Sequence, residues 1–219
     1  MNLSLKNTVR SLVAAACLAT AAGAGAQAFP SKPIRIVVPY TPGGTSDIIA
    51  RAISQPLSEA LGQPVVVENR AGASGNIGTD MVVRAPADGH TLLLCDVGAL
   101  AISPSVYTKL PFDPSTQLRG VTMLAYSPHL LVVHPSVPAN NLQELVALSH
   151  KTDLSFAVTA IGSAPHVAGV AVEKATGARW TYVPYKGGSQ AINDTVAGQT
   201  DILVNGMLAT LPFVQAKRL

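Results

Sequence analysis

The chain has 219 residues, 15 Lys and Arg against 12 Asp and Glu, a formal net charge of +3, and 48% hydrophobic residues of which few are aromatic. With no lysine–arginine cluster and no basic stripe interleaved with aromatics, that balance excludes a nucleic-acid partner. The two cysteines, Cys17 and Cys95, supply no disulfide framework.

At the N-terminus, Lys6 and Arg10 precede an alanine-rich apolar stretch from Ser11 to Ala22, followed by Ala24-Gly25-Ala26 and Ala26-Gln27-Ala28. Residues 1–28 read as a signal peptide cleaved near residue 26 or 28. The apolar run is too short for a bilayer span, which needs about 20 residues. Cys17 is then a small apolar residue of a discarded peptide. Without Lys6 and Arg10 the net charge falls from +3 to +1. The remainder is long enough for one large or two small domains.

Ile34 to Pro39 is a short β-branched run of the kind found in buried parallel strands. The turn Pro42–Asp47 follows, then a helix carrying Ile48, Ile49, Ile53 and Leu57 and ended by Gly62. Pro64 to Glu68 is the next strand, Ala71–Asn76 the next turn, and Ile77 to about Ala85 the next helix. A turn at Pro86-Ala87-Asp88-Gly89 leads into a third strand, Thr91 to Leu94, which completes a βαβαβ unit with a parallel sheet. Prolines 104, 111 and 114 break the pattern. Val121 to Ala125 and Leu130 to Val133 read as further strands, with a lobe boundary near residue 125.

The second half repeats the grammar. Asn140 or Asn141 caps a helix with Glu144 in its first turn. Strand Leu154–Val158, turn Ile161–His166, and a helix ended by Gly177 come next. Strand Trp180–Pro184, turn Tyr185–Ser189, and a helix ended by Gly198 follow. A strand at Asp201 to Val204 and a helix from Leu208 to Ala216 finish the chain. The fold class is therefore α/β with mainly parallel sheets, in two lobes of residues 29–124 and 125–219.

Four times a strand enters a helix through glycine and small hydroxyl residues. Such turns leave backbone N–H groups free at the positive end of a helix dipole, which is a place for an anion. Two pairs of turns with almost no acidic residues point to a small anionic ligand gripped between two lobes, and to a binder rather than a catalyst.

Each residue also has a plainer role. The first turn can be a tight connection, with Asp47 capping its helix or bridging to Arg51. The Ser74 hydroxyl can donate to a carboxylate or cap a helix. His166 fits packing, ligand contact or metal ligation, and Lys186 either offsets ligand charge or reaches solvent. The other histidines lack metal-site spacing. Gly72-Ala73-Ser74-Gly75 is one residue short of a nucleophile elbow, and Cys95 after a buried strand reads as inert core. The glycine spacings match neither Walker A nor dinucleotide fingerprints. No cofactor and no metal is expected.

The stretch from Phe29 through Pro42-Gly43-Gly44 to Asp47 and Arg51 closely resembles the start of mature Bug proteins. These are the substrate-binding components of tripartite tricarboxylate transporters. Further matches are Glu68-Asn69-Arg70-Ala71-Gly72-Ala73 with Gly75 and Gly78, Ala87-Asp88-Gly89-His90-Thr91, Leu110-Pro111-Phe112-Asp113-Pro114, His134-Pro135-Ser136, Val183-Pro184-Tyr185-Lys186-Gly187 and Leu211-Pro212. The resemblance implies a type II periplasmic binding-protein fold and a small carboxylate ligand, captured in the periplasm for membrane permease subunits by a protein that is expected to be a monomer and not an enzyme. It places ligand contacts at Thr41, Gly43, Gly44, Thr45, Ser46 and Asp47, and at Ala73, Ser74, Gly75 and Asn76. From the other lobe it adds Gly162, Ser163, His166, Tyr185, Lys186, Gly187 and Gly188.

The departures are Leu100-Ala101 for a usual histidine-alanine, Gln117-Leu118-Arg119-Gly120 before the crossover, and Val170 for a common glutamate. Full-size members also continue beyond the equivalent of Leu219 and return to the first lobe. The first lobe is therefore expected to be incomplete, the chain a truncated copy with weak or no ligand affinity, and the second lobe the more stable half. The alternatives are a sensor protein feeding a signalling kinase, and a secreted hydrolase using Ser74 or Cys95.

Overall fold

Strand β1 (Ile34–Val38) shows why the first half folds as it does. Ile34, Ile36 and Val38 are buried, and Val37 between them is buried on the opposite face. A strand covered on both sides reads as a continuous β-branched run and sits at the centre of a parallel sheet. β1 pairs in parallel with β2 (Val65–Asn69) and with β3 (Thr91–Leu93), with Ile36 opposite both Val67 and Leu92. Helix α1 (Thr45–Leu61) lays Ala50, Ile53 and Leu57 against Ile36, Val38 and Tyr40. It stops at Gly62, where φ is 66° and the N–H bonds the Ser58 carbonyl at 2.9 Å. Helix α2 (Asn76–Val83) packs on β1 and β3. A π-helical turn (Gly98–Ile102) and two single-turn helices, α3 (Ser103–Val106) and α4 (Pro114–Gln117), follow.

The structure, a computed structural model, describes residues 29–219, of which Lys32–Leu219 form one compact unit. The signal-peptide assignment lies outside the described residues.

A second sheet of four strands has the order β4 (His129–Val133), β7 (Ile202–Gly206), β5 (Ser155–Val158), β6 (Thr181–Pro184). β4 runs antiparallel to β7, and the other pairs are parallel. The period-2 alternation divides the core in two. Phe156, Val158, Ile202 and Val204 face Leu145 of α5 (Leu142–Ser149), together with Trp180 and Tyr182. Ala157 and Leu203 face the other way, onto Ala191 and Ile192 of α7 (Gly188–Val196) and Ala209 of α8 (Met207–Gln215). Helix α6 (Ala164–Thr176) ends at Gly177, and α5 begins at Asn141, whose side chain accepts from the Glu144 N–H at 2.9 Å. The architecture is a two-lobed α/β fold with mainly parallel sheets.

The strand expected at Val121 to Ala125 is absent. That stretch forms neither helix nor strand and pairs with no strand among the described residues, and its apolar side chains face outward, with Val121 82% and Met123 80% exposed. Apolar, β-branched composition marks what a segment can do in a sheet, but the ladder exists only where a neighbour supplies the bonds. β7 runs two residues further than expected, to Gly206.

Phe156 is fully buried, with ring centroids 5.0 Å from Trp180 and 5.3 Å from Tyr182. The Tyr182 hydroxyl accepts from Trp180 Nε1 at 2.8 Å and donates to Glu173 at 2.9 Å, which fixes the ring cluster. Phe156→Ala is expected to lower the unfolding free energy by about 3–5 kcal/mol, read from urea melts, because this rigid cluster closes poorly around the gap.

Candidate functional site

Parallel strands all deliver their carboxyl ends to the same edge, so the strand-to-helix turns of each sheet gather there. The first turn carries Thr41 to Asp47. Asp47 is 3% exposed and accepts from the Gly43 N–H at 2.9 Å, Arg51 Nε at 3.0 Å and Asn69 Nδ2 at 2.9 Å. Asn69 Nδ2 also reaches the Tyr40 carbonyl at 3.1 Å. Asp47 therefore holds the turn from inside, and its carboxylate is occupied by the protein. Gly44 opens α1 with no capping side chain, so the first N–H groups of the helix keep no side-chain partner.

The fourth turn meets the first. Thr41 Oγ1 lies 2.9 Å from Ser189 Oγ, and a Cβ on Gly187 would overlap the Thr41 side chain. Gly206, where β7 enters α8, is equally confined, since a Cβ there would overlap the Thr45 hydroxyl. Thr45 Oγ1 is buried there without a hydrogen-bond partner. Gly188 packs on Asn205, whose Nδ2 donates to Thr210 Oγ1 at 3.1 Å. Gly187 caps α7 without a side chain. The Tyr185 hydroxyl donates to Asp194 at 2.9 Å, and its pKa is pushed up to about 12 by burial and by that carboxylate. Lys186 is exposed.

The second turn is strained. Ala73 and Ser74 have φ of 47° and 57°, between Gly72 at 134° and Gly75 at 90°. Non-glycine residues in this region cost roughly 1–3 kcal/mol each and persist where surrounding bonds fix them. Ser74 Oγ donates to the Ile161 carbonyl at 2.8 Å. That carbonyl can only accept, so the Tyr107 hydroxyl, 2.8 Å from Ser74 Oγ, is the donor in their bond. The Ser74 hydroxyl thus neither caps a helix nor stays free; it ties the second turn to the third. Asn76, the opening residue of α2, is 5% exposed, and neither Nδ2 nor Oδ1 has a partner.

The third turn is satisfied internally. Ser163 caps α6, accepting from the His166 N–H and donating to the Ala160 carbonyl at 2.7 Å. The Gly162 N–H donates to His166 Nδ1 at 3.1 Å, which places the imidazole proton on Nε2. Burial lowers the His166 pKa, partly offset by Glu173, and the ring stands edge-on to Tyr182 at 4.7 Å. A neutral His166 is the result. Its packing role is the one these contacts describe.

The hydroxyl groups that link the turns, those of Thr41, Ser189, Ser74 and Tyr107, are uncharged, as is the unpaired Thr45. Of these, Ser189 and Tyr107 are not among the residues singled out from the sequence. Ser189 lies within a recognised glycine turn, whereas Tyr107 follows a proline-broken stretch that carries no local signal. Cys95 is half-buried, and burial with the neighbouring Asp96 pushes its thiol up to about 12. Among the described residues no group of three His, Cys, Asp or Glu side chains is placed to hold a metal ion.

A family model described as "Tripartite tricarboxylate transporter family receptor" matches residues 49–219. Protein BugT of Bordetella pertussis is 37% identical over 202 residues, covering 91% of this chain and 62% of that protein. A Rhodopseudomonas palustris protein solved with adipate superposes with a TM-score of 0.84 at 34% identity, over 87% of this chain and 64% of its own. MatC from the same organism, solved with bound malate, gives a TM-score of 0.81 at 29% identity, over 87% and 64%. The chain spans less than two thirds of the length of each of these relatives.

Asp47 offers a test of how the first turn is held. Burial alone would raise its pKa, but the bonds from Arg51, Gly43 and Asn69 outweigh burial and hold it below the usual carboxylate value. A depressed folded pKa contributes stability above the unfolded value, about 4, and that contribution is lost as pH falls through the folded value. Asp47→Asn is expected to be destabilised at neutral pH, with the gap to wild type narrowing as the pH falls below the unfolded value and through the lower folded one. Urea melts across that range check it; a gap independent of pH would show that the charge is not what holds the turn.

Proposed function

Because the chain belongs to the tripartite tricarboxylate transporter receptor family, we propose that it captures a small carboxylate non-covalently in the periplasm. It then presents the ligand to the membrane permease subunits of a tripartite transporter. Closure of the two lobes about the connection near residue 125 grips the ligand, and no bond of the ligand is made or broken.

One observation carries the reading. Both glycine turns of the first sheet place a buried polar side chain without a protein partner at the start of a helix: Thr45 Oγ1 on α1, and Asn76 Nδ2 and Oδ1 on α2. A buried polar group left unpaired costs about 1–3 kcal/mol, so two on matching turns are consistent with groups kept for a ligand. The uncapped N-termini of α1, α2 and α7 supply backbone N–H donors around them. A carboxylate accepting several such bonds gains charge-assisted hydrogen bonds without an Arg or Lys. The proposed contacts are those of the four turns, with Ser189 added. Asp47 and Ser74 act by shaping their turns, since their polar side-chain atoms are already bonded, whereas His166 is bonded at Nδ1 and keeps its Nε2–H as a donor. The adipate and malate seen in two relatives are of the proposed ligand class.

A hydrolytic reading has less support. Ser74 donates its proton to a carbonyl and has no base beside it, and a thiol with a pKa of about 12 holds almost no thiolate at neutral pH.

Thr45→Val keeps the shape and removes the unpaired hydroxyl. In titration calorimetry against a panel of mono-, di- and tricarboxylates it is expected to weaken binding about tenfold, the worth of one charge-assisted bond. The melting temperature of the free protein should stay level or rise. Wild type that binds no member of the panel would contradict the reading and match the opposing expectation of a truncated copy with weak or no affinity; a variant that binds as tightly as wild type would also contradict the reading.

A further inference from the structure

We propose that Asn76 makes the site selective for a carboxylate that also carries a hydrogen-bond donor, such as a hydroxyl or ammonium group, over a plain carboxylate of the same length. The inference rests on the carboxylate-binding reading and adds what the ligand must bear.

The argument starts from the two ends of one carboxamide. Asn76 is 5% exposed, and its donor (Nδ2) and its acceptor (Oδ1) are both buried without a protein partner. It opens the eight-residue helix α2 behind Gly75, which supplies no capping side chain. Thr79, three residues on and so on the same side of the helix, is fully buried. The buried side of α2 is the one packed on β1 and β3. Helical side chains lean toward the N-terminus, so the Asn76 carboxamide projects beyond the carboxyl ends of β1 and β3, the place where open α/β sheets take ligands.

Neighbouring polar groups do not serve it. The Tyr40 hydroxyl, against which Gly75 packs, donates to Asp96 Oδ1 at 2.6 Å, and the same oxygen accepts from the Gly98 N–H at 2.8 Å. Ser74 is committed to Ile161 and Tyr107.

An ionised carboxylate is an acceptor only. It pairs with Nδ2 and with the N–H groups at the start of α2, but it leaves Oδ1 unpaired and facing an anion. A hydroxyl or ammonium group on the adjacent carbon donates to Oδ1, and both ends of the amide are then satisfied. Sites built to bond a ligand donor reject the analogue that lacks it far more strongly than apolar pockets reject a missing methylene. Of the two ligands seen in relatives, malate has such a donor and adipate has none.

Malate, aspartate and succinate form a matched set that differs only by a hydroxyl, an ammonium or a hydrogen on one carbon. Titration calorimetry with the purified wild-type protein is expected to show malate or aspartate, whichever donor fits, at least about tenfold tighter than succinate. In Asn76→Leu, which fills a similar volume, the three should bind within about twofold of one another, and the free protein should melt no lower because a buried unpaired amide is gone. Asn76→Ala removes the same two atoms without adding bulk and serves where leucine is not accommodated. Equal wild-type affinity for all three, tighter binding of succinate than of both malate and aspartate, or a preference that survives in the variants would overturn the inference while leaving carboxylate binding intact. A wild-type protein that binds no carboxylate overturns the underlying reading as well.

Discussion

Three helices that start at the carboxyl ends of the two sheets, α1, α2 and α7, open on Gly44, Gly75 and Gly187, and a glycine has no side chain with which to bond a helix N–H. At an N-cap with room for a side chain, a serine or asparagine satisfies one orphan donor and stabilises the helix by a few tenths of a kcal/mol over glycine. The chain uses that device elsewhere, at Asn141 on α5 and Ser163 on α6. Where it is omitted, the glycine also permits the close approach of another backbone or side chain, as Gly187 does for Thr41. Open donors and close approach go together, and the site depends on both.

The strained second turn fits the same logic. Ala73 and Ser74 lie in a left-handed conformation because the relay from Tyr107 through Ser74 to the Ile161 carbonyl holds them there. The relay joins one lobe to the other, as the Thr41–Ser189 contact does for the first and fourth turns. Both links are made of hydroxyl groups, which rotate and exchange partners at small cost, whereas a buried ion pair would bear a heavy desolvation penalty each time it closed. On the proposed reading, neutral links suit a clamp that must release its ligand. The charged partners of this region, Asp47 with Arg51, stay within one lobe.

Much of this was legible in the sequence because its causes are local. The β-branched run of β1 and the αL glycines Gly62 and Gly177 each follow from neighbours a few residues away. The capping role of Asn141 likewise needs only Glu144 nearby. The four glycine turns were visible for the same reason. What stayed hidden depends on residues far apart in the chain. Ser74 and Ile161 are 87 positions apart, and Thr41 and Ser189 are 148 apart. Val121 to Ala125 has strand composition, yet nothing in its own residues says whether a neighbouring strand lies beside it. The unpaired state of Asn76 is likewise a property of its surroundings, not of its sequence.

The most direct measurement is the response of backbone amides to ligand, followed by proton–nitrogen correlation spectra of the labelled protein during a malate titration. If the ligand's carboxylate is held by open helix N-termini, the amide protons of Thr45, Ser46, Ile77, Gly188 and Ser189 should move downfield together as charge-assisted bonds form. The amides around exposed Lys and Arg residues outside the four turns should stay in place. Shifts confined to the basic surface, or a saturable heat of binding with these five amides unmoved, would contradict capture at the turns.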